Sequence, residues 1–305
     1  MEVHNRNQSM DAEHFLMTTK LLIAKPAVEE IKNHLLERCL SLKQRGIIPS
    51  MSVVLIGNSP ASLSYIKNKR KMCEEVGARF QLHQLGEDVT APEFLKLISQ
   101  LNDDERIHGI IIQLPVSDHL KNLNLPNLVK PSKDIDGFHG ENNQKLYAGS
   151  TNLQQLMPCT PKGIIQLLQH YDFNLQGKHA VVVGRSLIVG KPLSLLLSNF
   201  GATVTLAHSQ TKDLKSLTRS ADLVVAAIGK ANFFNFTFFD PGRRTVVIDV
   251  GMNSLNGKLT GDVEILSVTN VVSAISPVPG GVGPMTVVSL IENLIIAAET
   301  IRHSY

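Results

Sequence analysis

The sequence is poor in cysteine, and the three cysteines that it has are widely spaced. Cys39, Cys73 and Cys159 form no C-x-x-C pair, and their number is odd. This pattern favours neither a disulfide framework nor a zinc site, so the simplest interpretation is a protein of a reducing compartment.

The sequence also lacks a strong excess of charge of either sign. Its 30 basic and 27 acidic residues leave a formal net charge of only +3 over 305 residues. A dedicated nucleic-acid-binding protein carries its basic residues in a cluster or stripe, so we expect no nucleic-acid partner. A mildly positive balance is compatible with small anionic ligands.

Long apolar runs are lacking as well, and none approaches the roughly 20 residues that cross a membrane. Residues 1–17 are mostly polar, include Glu2, Asp11 and Glu13, and have neither the apolar core of a secretory signal nor many arginines. We interpret them as a flexible extension, with a targeting role as the alternative. The sequence thus predicts a cytoplasmic protein without a membrane partner.

Helix-like segments alternate with β-branched runs along the whole chain. Helices are predicted near residues 25–45, 60–76, 91–102, 161–171, 190–199 and 285–302, and strands at 52–56, 110–113, 180–183, 203–206, 223–226 and 246–250. This alternation predicts an α/β fold with a mostly parallel sheet covered on both faces. The length of the chain suits two domains.

Proline and glycine mark two domain boundaries. Thr160 and Pro161 predict a helix start with Thr160 as N-cap, and the Pro- and Gly-rich segment 276–284 precedes a last helix from about Met285. We therefore expect an N-terminal βα domain over residues 18–160 that is completed by the C-terminal helix, 285–305. A dinucleotide-binding domain, 161–284, is inserted between them.

A glycine-rich turn, Gly184-Arg185-Ser186-Leu187-Ile188-Val189-Gly190, follows one of the predicted strands and opens a helix. This layout places a phosphate group against free N–H groups at a helix N-terminus, although an ordinary βα turn is the alternative. The next strand ends in His208 and Ser209, where no acidic residue is available to bind a ribose 2′-hydroxyl. With Arg185 in the turn, the pattern favours NADP over NAD as cofactor.

The helix predicted between Ser59, as its N-cap, and Gly77 carries a lysine on its apolar face. At 100° per residue, one arc contains Ser62, Tyr65, Lys69, Met72, Cys73 and Val76. Lys69 is the one charged residue of that arc, and either its side chain reaches past the arc to water or it lies in a site. A partly desolvated amine exchanges protons near neutrality, and Tyr65 is one turn away.

Two further segments could complete a site with Lys69. Gln113 ends a predicted buried strand, where it could bind a ligand or satisfy a loop carbonyl. Asp134 and Asp136 precede Gly137, but the other ligands of a calcium loop are missing, so we expect no metal. One acid is expected to cap a turn and the other to bind a ligand donor.

These segments resemble the bifunctional methylenetetrahydrofolate dehydrogenase/methenyltetrahydrofolate cyclohydrolase family. The resemblance runs from about residue 18 to the end, and its motifs follow in family order. They are Tyr65-Ile66-x-x-Lys69, Gln113-Leu114-Pro115, Lys133-Asp134-x-Asp136-Gly137-Phe138, Pro158-Cys159-Thr160-Pro161-x-Gly163, the turn from Gly184 to Gly190, His208-Ser209-x-Thr211, Ile248-Asp249-Val250-Gly251 and Pro277-Val278-Pro279-Gly280-Gly281-Val282-Gly283-Pro284-Met285-Thr286.

The resemblance implies a Rossmann-type NADP-binding domain and two reactions of one-carbon metabolism that serve purine biosynthesis. Methylenetetrahydrofolate would give a hydride to NADP, and water would then open the methenyl product to 10-formyltetrahydrofolate. A homodimer is implied too. The alternatives are a dehydrogenase without the hydrolytic step and a non-catalytic dinucleotide-sensing module.

The resemblance also implies roles for particular residues. Lys69 would be the central catalytic residue, with Tyr65, Gln113 and Asp136 beside it. The substrate-binding residues would be Ser62, Tyr65, Gln113, Pro115, Asp136, Pro279, Gly280 and Gly281, and the cofactor-binding residues Gly184, Arg185, Ser186, Ser209, Met252 and Thr286. The chain departs from the family pattern at Met252, where isoleucine is usual, and in the aromatic stretch 233–239, which we interpret as core or dimer contact.

Overall fold

The computed structural model describes residues 19–300, so the predicted extension, 1–17, lies outside the described part of the chain. Its strands are β1 Lys20–Leu21, β2 Ser50–Ile56, β3 Arg79–Leu85, β4 Gly109–Ile112, β5 His179–Val183, β6 Thr203–Ala207, β7 Leu223–Ala226, β8 Val246–Asp249, β9 Asn253–Leu255, β10 Lys258–Thr260 and β11 Ala274–Ile275. Its helices are α1 Ala24–Gln44, α2 Pro60–Glu75, α3 Ala91–Asp103, α4 Gly140–Tyr147, α5 Cys159–His170, α6 Gly190–Asn199, α7 Leu214–Arg219, α8 Ile265–Val268 and α9 Val282–Thr300.

The first sheet has three parallel strands in the order β3-β2-β4. Its central strand, β2, is buried from Met51 to Ile56, which fits its nearly continuous apolar sequence. The edge strand β3 is half-exposed and alternates polar and apolar residues, so its sequence lacks the apolar run that marks the other strands.

The second sheet is parallel throughout, in the order β1-β11-β8-β7-β5-β6. The chain leaves β5 towards β6 and then returns to the other side of β5 with β7. A crevice therefore opens outside the carboxyl ends of β5 and β7, where such sheets bind ligands. The predicted α/β class with two sheet domains is confirmed.

Helices α5 and α9 lie between the two sheets. The C-terminal helix α9 packs against α1, α2 and α5 and also touches β2 and β4, so it returns to the first domain. Helix α5, which begins at Cys159 and contains the predicted boundary at residue 160, packs mainly on α9 and also touches α6. Strand β1 precedes α1 but pairs with β11, so the first described residues extend the second sheet.

The structure corrects two expectations about helix starts. Ser59 stands at the N-cap of α2, but its side chain accepts no capping hydrogen bond from the described backbone. Thr160 is not the N-cap of α5, because that helix begins one residue earlier, at Cys159. Its hydroxyl lies instead 3.1 Å from the hydroxyl of Thr286 on α9, so a tertiary contact replaces the cap.

Helix α9 also corrects the expectation that no segment is long and apolar enough to cross a membrane. Within residues 19–300, this one helix has the required length and composition, with a mean hydropathy of 1.4 over its apolar window. Of that window, 78% is buried inside the protein. The helix forms the centre of the core, where Ile291, Leu294 and Ile295 are fully enclosed.

Candidate functional site

The face of α2 that carries Lys69 lies at the boundary between the two domains. Ser62 is buried, and Tyr65 and Lys69 are half-buried, whereas Lys67 and Lys71 are exposed. The helix starts with Pro60 and is followed by Gly77 at φ +82°, as the sequence predicts. The predicted arc is therefore the inward face, and the charged group on it is only partly in contact with solvent.

Gln113 meets Lys69 at the end of β4. The Nζ of Lys69 donates to the Oε1 of Gln113 over 3.0 Å, and the Nε2 of Gln113 donates to the carbonyl oxygen of Leu114 over 2.9 Å. Of the two alternatives weighed for this glutamine, the structure shows the bond to a loop carbonyl, and the binding of a ligand stays a prediction. Its amide satisfies a loop carbonyl and, at the same time, holds the amine of Lys69.

The two acids of the Asp134–Asp136 pair have different surroundings. The Asp134 carboxylate is buried and accepts hydrogen bonds from the N–H groups of Gly137 (3.1 Å) and His139 (2.7 Å) and from Asn142 (2.9 Å). The Asp136 carboxylate accepts no hydrogen bond from any described residue. Burial raises the pKa of Asp136 to about 6, although the nearby Lys69 ammonium lowers it. Asp134 therefore shapes the turn, and Asp136 is the acid available to a ligand.

Two cavities open around these residues. A cavity of about 830 Å³ is bordered by Tyr65 of α2, by Met252 and by the segment from Pro277 to Pro284. A second, mostly apolar cavity of about 340 Å³ is bordered by Asp136, by Leu114 and by Leu187 and Ile188 of the glycine turn. Lys69 is one turn from Tyr65, which borders the larger cavity, and it acts electrostatically on Asp136, which borders the smaller one.

The predicted substrate-binding loops lie at these cavities. Pro115 and Pro279 each follow a cis peptide bond. Pro279, Gly280 and Gly281 border the larger cavity. A Cβ on Gly281 would lie 2.6 Å from the carbonyl oxygen of Pro277, and Gly280 has φ +103°. The loop's own backbone therefore requires both glycines, in addition to any approach of a ligand.

The two domains touch across the larger cavity through Tyr65 and Met252. The Tyr65 hydroxyl contacts the Sδ of Met252, which is 45% exposed. Burial raises the pKa of Tyr65. The unusual methionine therefore meets a predicted catalytic residue in this structure, rather than standing apart from the site.

The glycine turn is built to bring backbone close to backbone. Gly184 has φ +125°, and a Cβ there would lie 2.1 Å from the carbonyl oxygen of Ala227, at the end of the neighbouring strand β7. A Cβ on Gly190 would lie 1.8 Å from the carbonyl oxygen of Gly184. Carbonyl oxygens of the protein thus occupy the space that a side chain would need at both positions, so the turn's own packing requires glycine there. The turn lies at the N-terminus of α6, where strand–turn–helix units bind phosphates.

The two polar residues at the start of the turn differ in their surroundings: Ser186 is hydrogen-bonded within the turn, and Arg185 is exposed to solvent. The Oγ of Ser186 accepts from the N–H groups of Val189 (3.2 Å) and Gly190 (3.3 Å), so this serine caps the start of α6. Arg185 is exposed. Gly184 donates its N–H to Ala207 over 2.9 Å, which sets the turn beside the end of β6, where Ser209 is exposed. The adjoining loops thus offer a cation and a hydroxyl to an anionic ligand.

Thr286 is the predicted cofactor residue with the most protein contacts. It is half-buried on α9, and its hydroxyl bonds to Thr160 and to the carbonyl oxygen of Val282.

Residues 19–300 contain no group of three or more His, Cys, Asp or Glu side chains that could hold a metal ion.

Sequence reasoning assigned no role to two aspartates that shape the crevice, although one of them, Asp249, lies in a family motif. Asp262 accepts from three successive N–H groups, those of Ile228 (2.7 Å), Gly229 (3.0 Å) and Lys230 (2.8 Å). Asp249 accepts from Gly251, Asp262 and Val263, each at 2.9 Å, and burial raises its pKa to about 6. The signal for Asp249 was its place at the end of a buried strand.

Comparisons with known proteins cover nearly the whole described chain. Residues 22–136 match the family described as "Tetrahydrofolate dehydrogenase/cyclohydrolase, catalytic domain", and residues 158–302 match "Tetrahydrofolate dehydrogenase/cyclohydrolase, NAD(P)-binding domain". The chain belongs to the tetrahydrofolate dehydrogenase/cyclohydrolase family. The resemblance found in the sequence motifs is confirmed.

Relatives of this family match at full length. The chain is 44% identical to the bifunctional protein FolD of Bacillus licheniformis over 93% of this chain and 98% of that protein. A bifunctional FolD structure from Campylobacter jejuni is 42% identical, with a TM-score of 0.88 over 92% of this chain and 99% of the other. The Trypanosoma brucei FolD structure, complexed with NADP and an inhibitor, is 31% identical, with a TM-score of 0.87 over 92% and 98%. These relatives support the bifunctional reading and do not favour the monofunctional alternative.

Proposed function

We propose that this chain oxidises 5,10-methylenetetrahydrofolate with NADP and then hydrolyses the methenyl product to 10-formyltetrahydrofolate. The observation that carries the proposal is the hydrogen bond from Lys69 to Gln113 beside the carboxylate of Asp136, between two cavities at the domain boundary. Family membership supplies the two reactions.

The substrate is proposed to lie across both cavities. The Asp136 carboxylate, with no hydrogen-bond donor among residues 19–300, would accept from adjacent N–H groups of the pterin edge. Tyr65 would support the rings that extend into the larger cavity, since it borders that space and stands one turn before Lys69. Pro279 and Gly280 would form the opposite wall.

Lys69 is proposed to serve the hydrolytic step. Addition of water to the methenyl carbon releases a proton, which a half-buried amine held by Gln113 can accept. The amine can return this proton to the departing nitrogen when the ring opens. The hydroxyl group then becomes the formyl carbonyl and releases its own proton to solvent. Gln113 fixes the position of the amine, because its own amide is held at Leu114.

The glycine turn is proposed to hold the cofactor. Gly184 and Gly190 allow the tight turn that opens α6, whose N-terminus would face a phosphate, and Arg185 and Ser209 would bind the additional ribose phosphate of NADP. When bound, NADP supplies the acceptor for the hydride of the methylene carbon. The protein's part in this step is to orient the two ligands and exclude water between them.

The proposal is tested by incubating the purified protein with methylenetetrahydrofolate and NADP. The methenyl product absorbs in the near ultraviolet, so its appearance reports the dehydrogenase and its decay reports the cyclohydrolase. Stable accumulation would favour a monofunctional dehydrogenase. Binding of NADP without any conversion would favour a sensing module.

We further propose a cytoplasmic homodimer that supplies one-carbon units for purine biosynthesis. The widely spaced cysteines, whose thiols are free and buried, support a reducing compartment. The dimer and the metabolic role rest on the family resemblance. Light scattering on the purified protein and microscopy of a tagged chain test assembly and location.

A further inference from the structure

The direction of the Asp136 carboxylate is set by the backbone on either side of it. After Asp136, Gly137 has φ +76°, and a Cβ on it would lie 2.1 Å from the carbonyl carbon of Met157. The N–H of Gly137 is also bound by Asp134. Because no described side chain donates a hydrogen bond to Asp136, these backbone contacts are what hold the acid in place.

Before Asp136, two buried side chains hold the carbonyl oxygen of Ile135. The Nδ2 of Asn293 donates to it over 2.9 Å, and the Sγ of Cys159 donates over 3.1 Å. The same Nδ2 donates to the carbonyl oxygen of Met157 over 2.8 Å. Asn293 therefore ties together the two backbone segments that enclose Gly137.

A buried ion pair fixes which way the Asn293 amide points. Its Oδ1 accepts from the Nζ of Lys162 over 3.1 Å, and Lys162 pairs with Glu292 at 2.9 Å. An ammonium group has donors only, so the amide oxygen must face Lys162 and the NH₂ group must face the two carbonyls. All three side chains are buried, so water does not compete strongly for these bonds.

Glu292 is held in turn by its own partners. Its carboxylate accepts from Gln154 over 2.9 Å and from Gln166 over 2.8 Å. Burial alone would raise the pKa of Glu292, but Lys162 and these hydrogen bonds hold it below its usual value. Glu292, Lys162 and Asn293 therefore each have buried hydrogen-bond or ion-pair partners, which restrict their movement.

We infer that Asn293 and Cys159 are positioning residues that aim the Asp136 carboxylate at the pterin, with Lys162 fixing the orientation of the Asn293 amide. The inference rests on the proposed function, because it assigns Asp136 to the folate. It predicts that removing a hydrogen bond to the Ile135 carbonyl oxygen weakens folate binding. The cofactor site should stay unchanged, since none of the contacts described here involves the glycine turn.

The decisive test compares Cys159→Ala with Cys159→Ser. Alanine removes one donor to Ile135, and we expect the KM for methylenetetrahydrofolate to rise about three- to tenfold, the effect of one net hydrogen bond. Serine keeps a donor and is expected to restore a KM near that of the wild type. Asn293→Leu removes the amide and should raise the KM about tenfold or more. The Kd for NADP and the kcat at saturating folate should stay within about twofold.

Cys39→Ala is the matched control, since it makes the same substitution at another buried free cysteine. Cys39 lies on α1 and is not part of the contacts that join Glu292, Lys162, Asn293 and Ile135. We expect it to lower the Tm and leave the folate KM unchanged. The inference is overturned if Cys159→Ala keeps a normal KM, if serine does not rescue, or if Cys39→Ala raises the KM equally.

The experiment distinguishes failure of the positioning role from failure of the proposed function. If Asn293→Leu does not fold, the two Cys159 variants still decide the inference. If the wild type itself neither binds nor converts methylenetetrahydrofolate, the proposed function fails, and the positioning role fails with it. Normal wild-type turnover with unchanged variants overturns the positioning role alone.

Discussion

The amine of Lys69 is bound to the amide oxygen of Gln113 at 3.0 Å, which joins helix α2 to the carboxyl end of strand β4. Gln113 cannot rotate freely, because its NH₂ group donates to Leu114 over 2.9 Å. A flexible lysine side chain is therefore held in one place beside Asp136. In the mechanism that we propose, this placement would let a single amine take up and deliver a proton at a defined position.

Replacing Lys69 with alanine is expected to abolish cyclohydrolase activity and leave the fold intact. General acid–base catalysis contributes about 10²- to 10⁴-fold, so decay of the methenyl absorbance should slow by that factor. Lys71→Ala is the matched control, since Lys71 lies on the same helix with an exposed side chain. Near-normal hydrolysis by Lys69→Ala would remove this residue from the mechanism.

Arg185→Ala is expected to weaken NADP more than NAD. The guanidinium group is exposed in the glycine turn beside the end of β6, and a hydrogen bond to a charged phosphate is worth about 10- to 100-fold in affinity. NAD lacks that phosphate, so it serves as an internal control. Titrations of both cofactors measure the effect, and an equal loss for both would contradict the prediction.

The pH dependence of folate turnover should report Asp136. Burial raises the pKa of this carboxyl to about 6, and the pterin needs the ionised form. We therefore expect kcat/KM for the folate to fall as the pH drops below about 6. The Asp136→Asn variant should have a low kcat/KM without this acidic limb. An unchanged limb in the variant would assign it to another group.

Ionisation of Asp136, which folate binding needs, should lower the stability of the ligand-free folded protein. Its folded pKa lies above the ordinary value of 3.8, so its favourable contribution is complete below about pH 4 and is lost as the pH rises through about 6. Relative to the wild type, the ligand-free Asp136→Asn protein should thus gain in Tm between pH 4 and pH 7. Calorimetry at both values tests the sign, and a relative loss would contradict it.

Gly184→Ala is expected to disrupt the cofactor site because its Cβ would overlap the carbonyl oxygen of Ala227. Gly46→Ala is the control, since Gly46 also has a positive φ, +77°, but has open space around its Cβ position. The control should lose only about 1–2 kcal/mol of stability and keep its NADP affinity. If Gly184→Ala binds NADP normally, the close approach at this turn is not required.

Much of the fold could be read from local pattern. Strands such as β2 and β5 are continuous apolar runs, and the glycine turn follows β5 at the predicted place. The edge strand β3 and the short hairpin of β9 and β10 could not be read in this way, because edge strands are half-exposed and mix polar with apolar residues. Thr160 had the composition of an N-cap, but its hydroxyl bonds to Thr286 on α9, which is 126 residues away in sequence.

The sequence by itself determined which residues are the candidates for chemistry: a lysine on an apolar helical face, a glutamine at the end of a buried strand, an acid pair and a glycine turn. Periodicity and motif spacing are local properties, so they can be read along the chain. Only the tertiary structure decided that the amide of Gln113 accepts a hydrogen bond from Lys69. It also decided that Asp134 accepts hydrogen bonds from the turn, whereas Asp136 stays available to a ligand. Finally, it decided that Asn293 binds the backbone carbonyl of Ile135, next to Asp136. Those contacts join segments 3 to 158 residues apart, and their geometry depends on how the two sheets and α9 pack together.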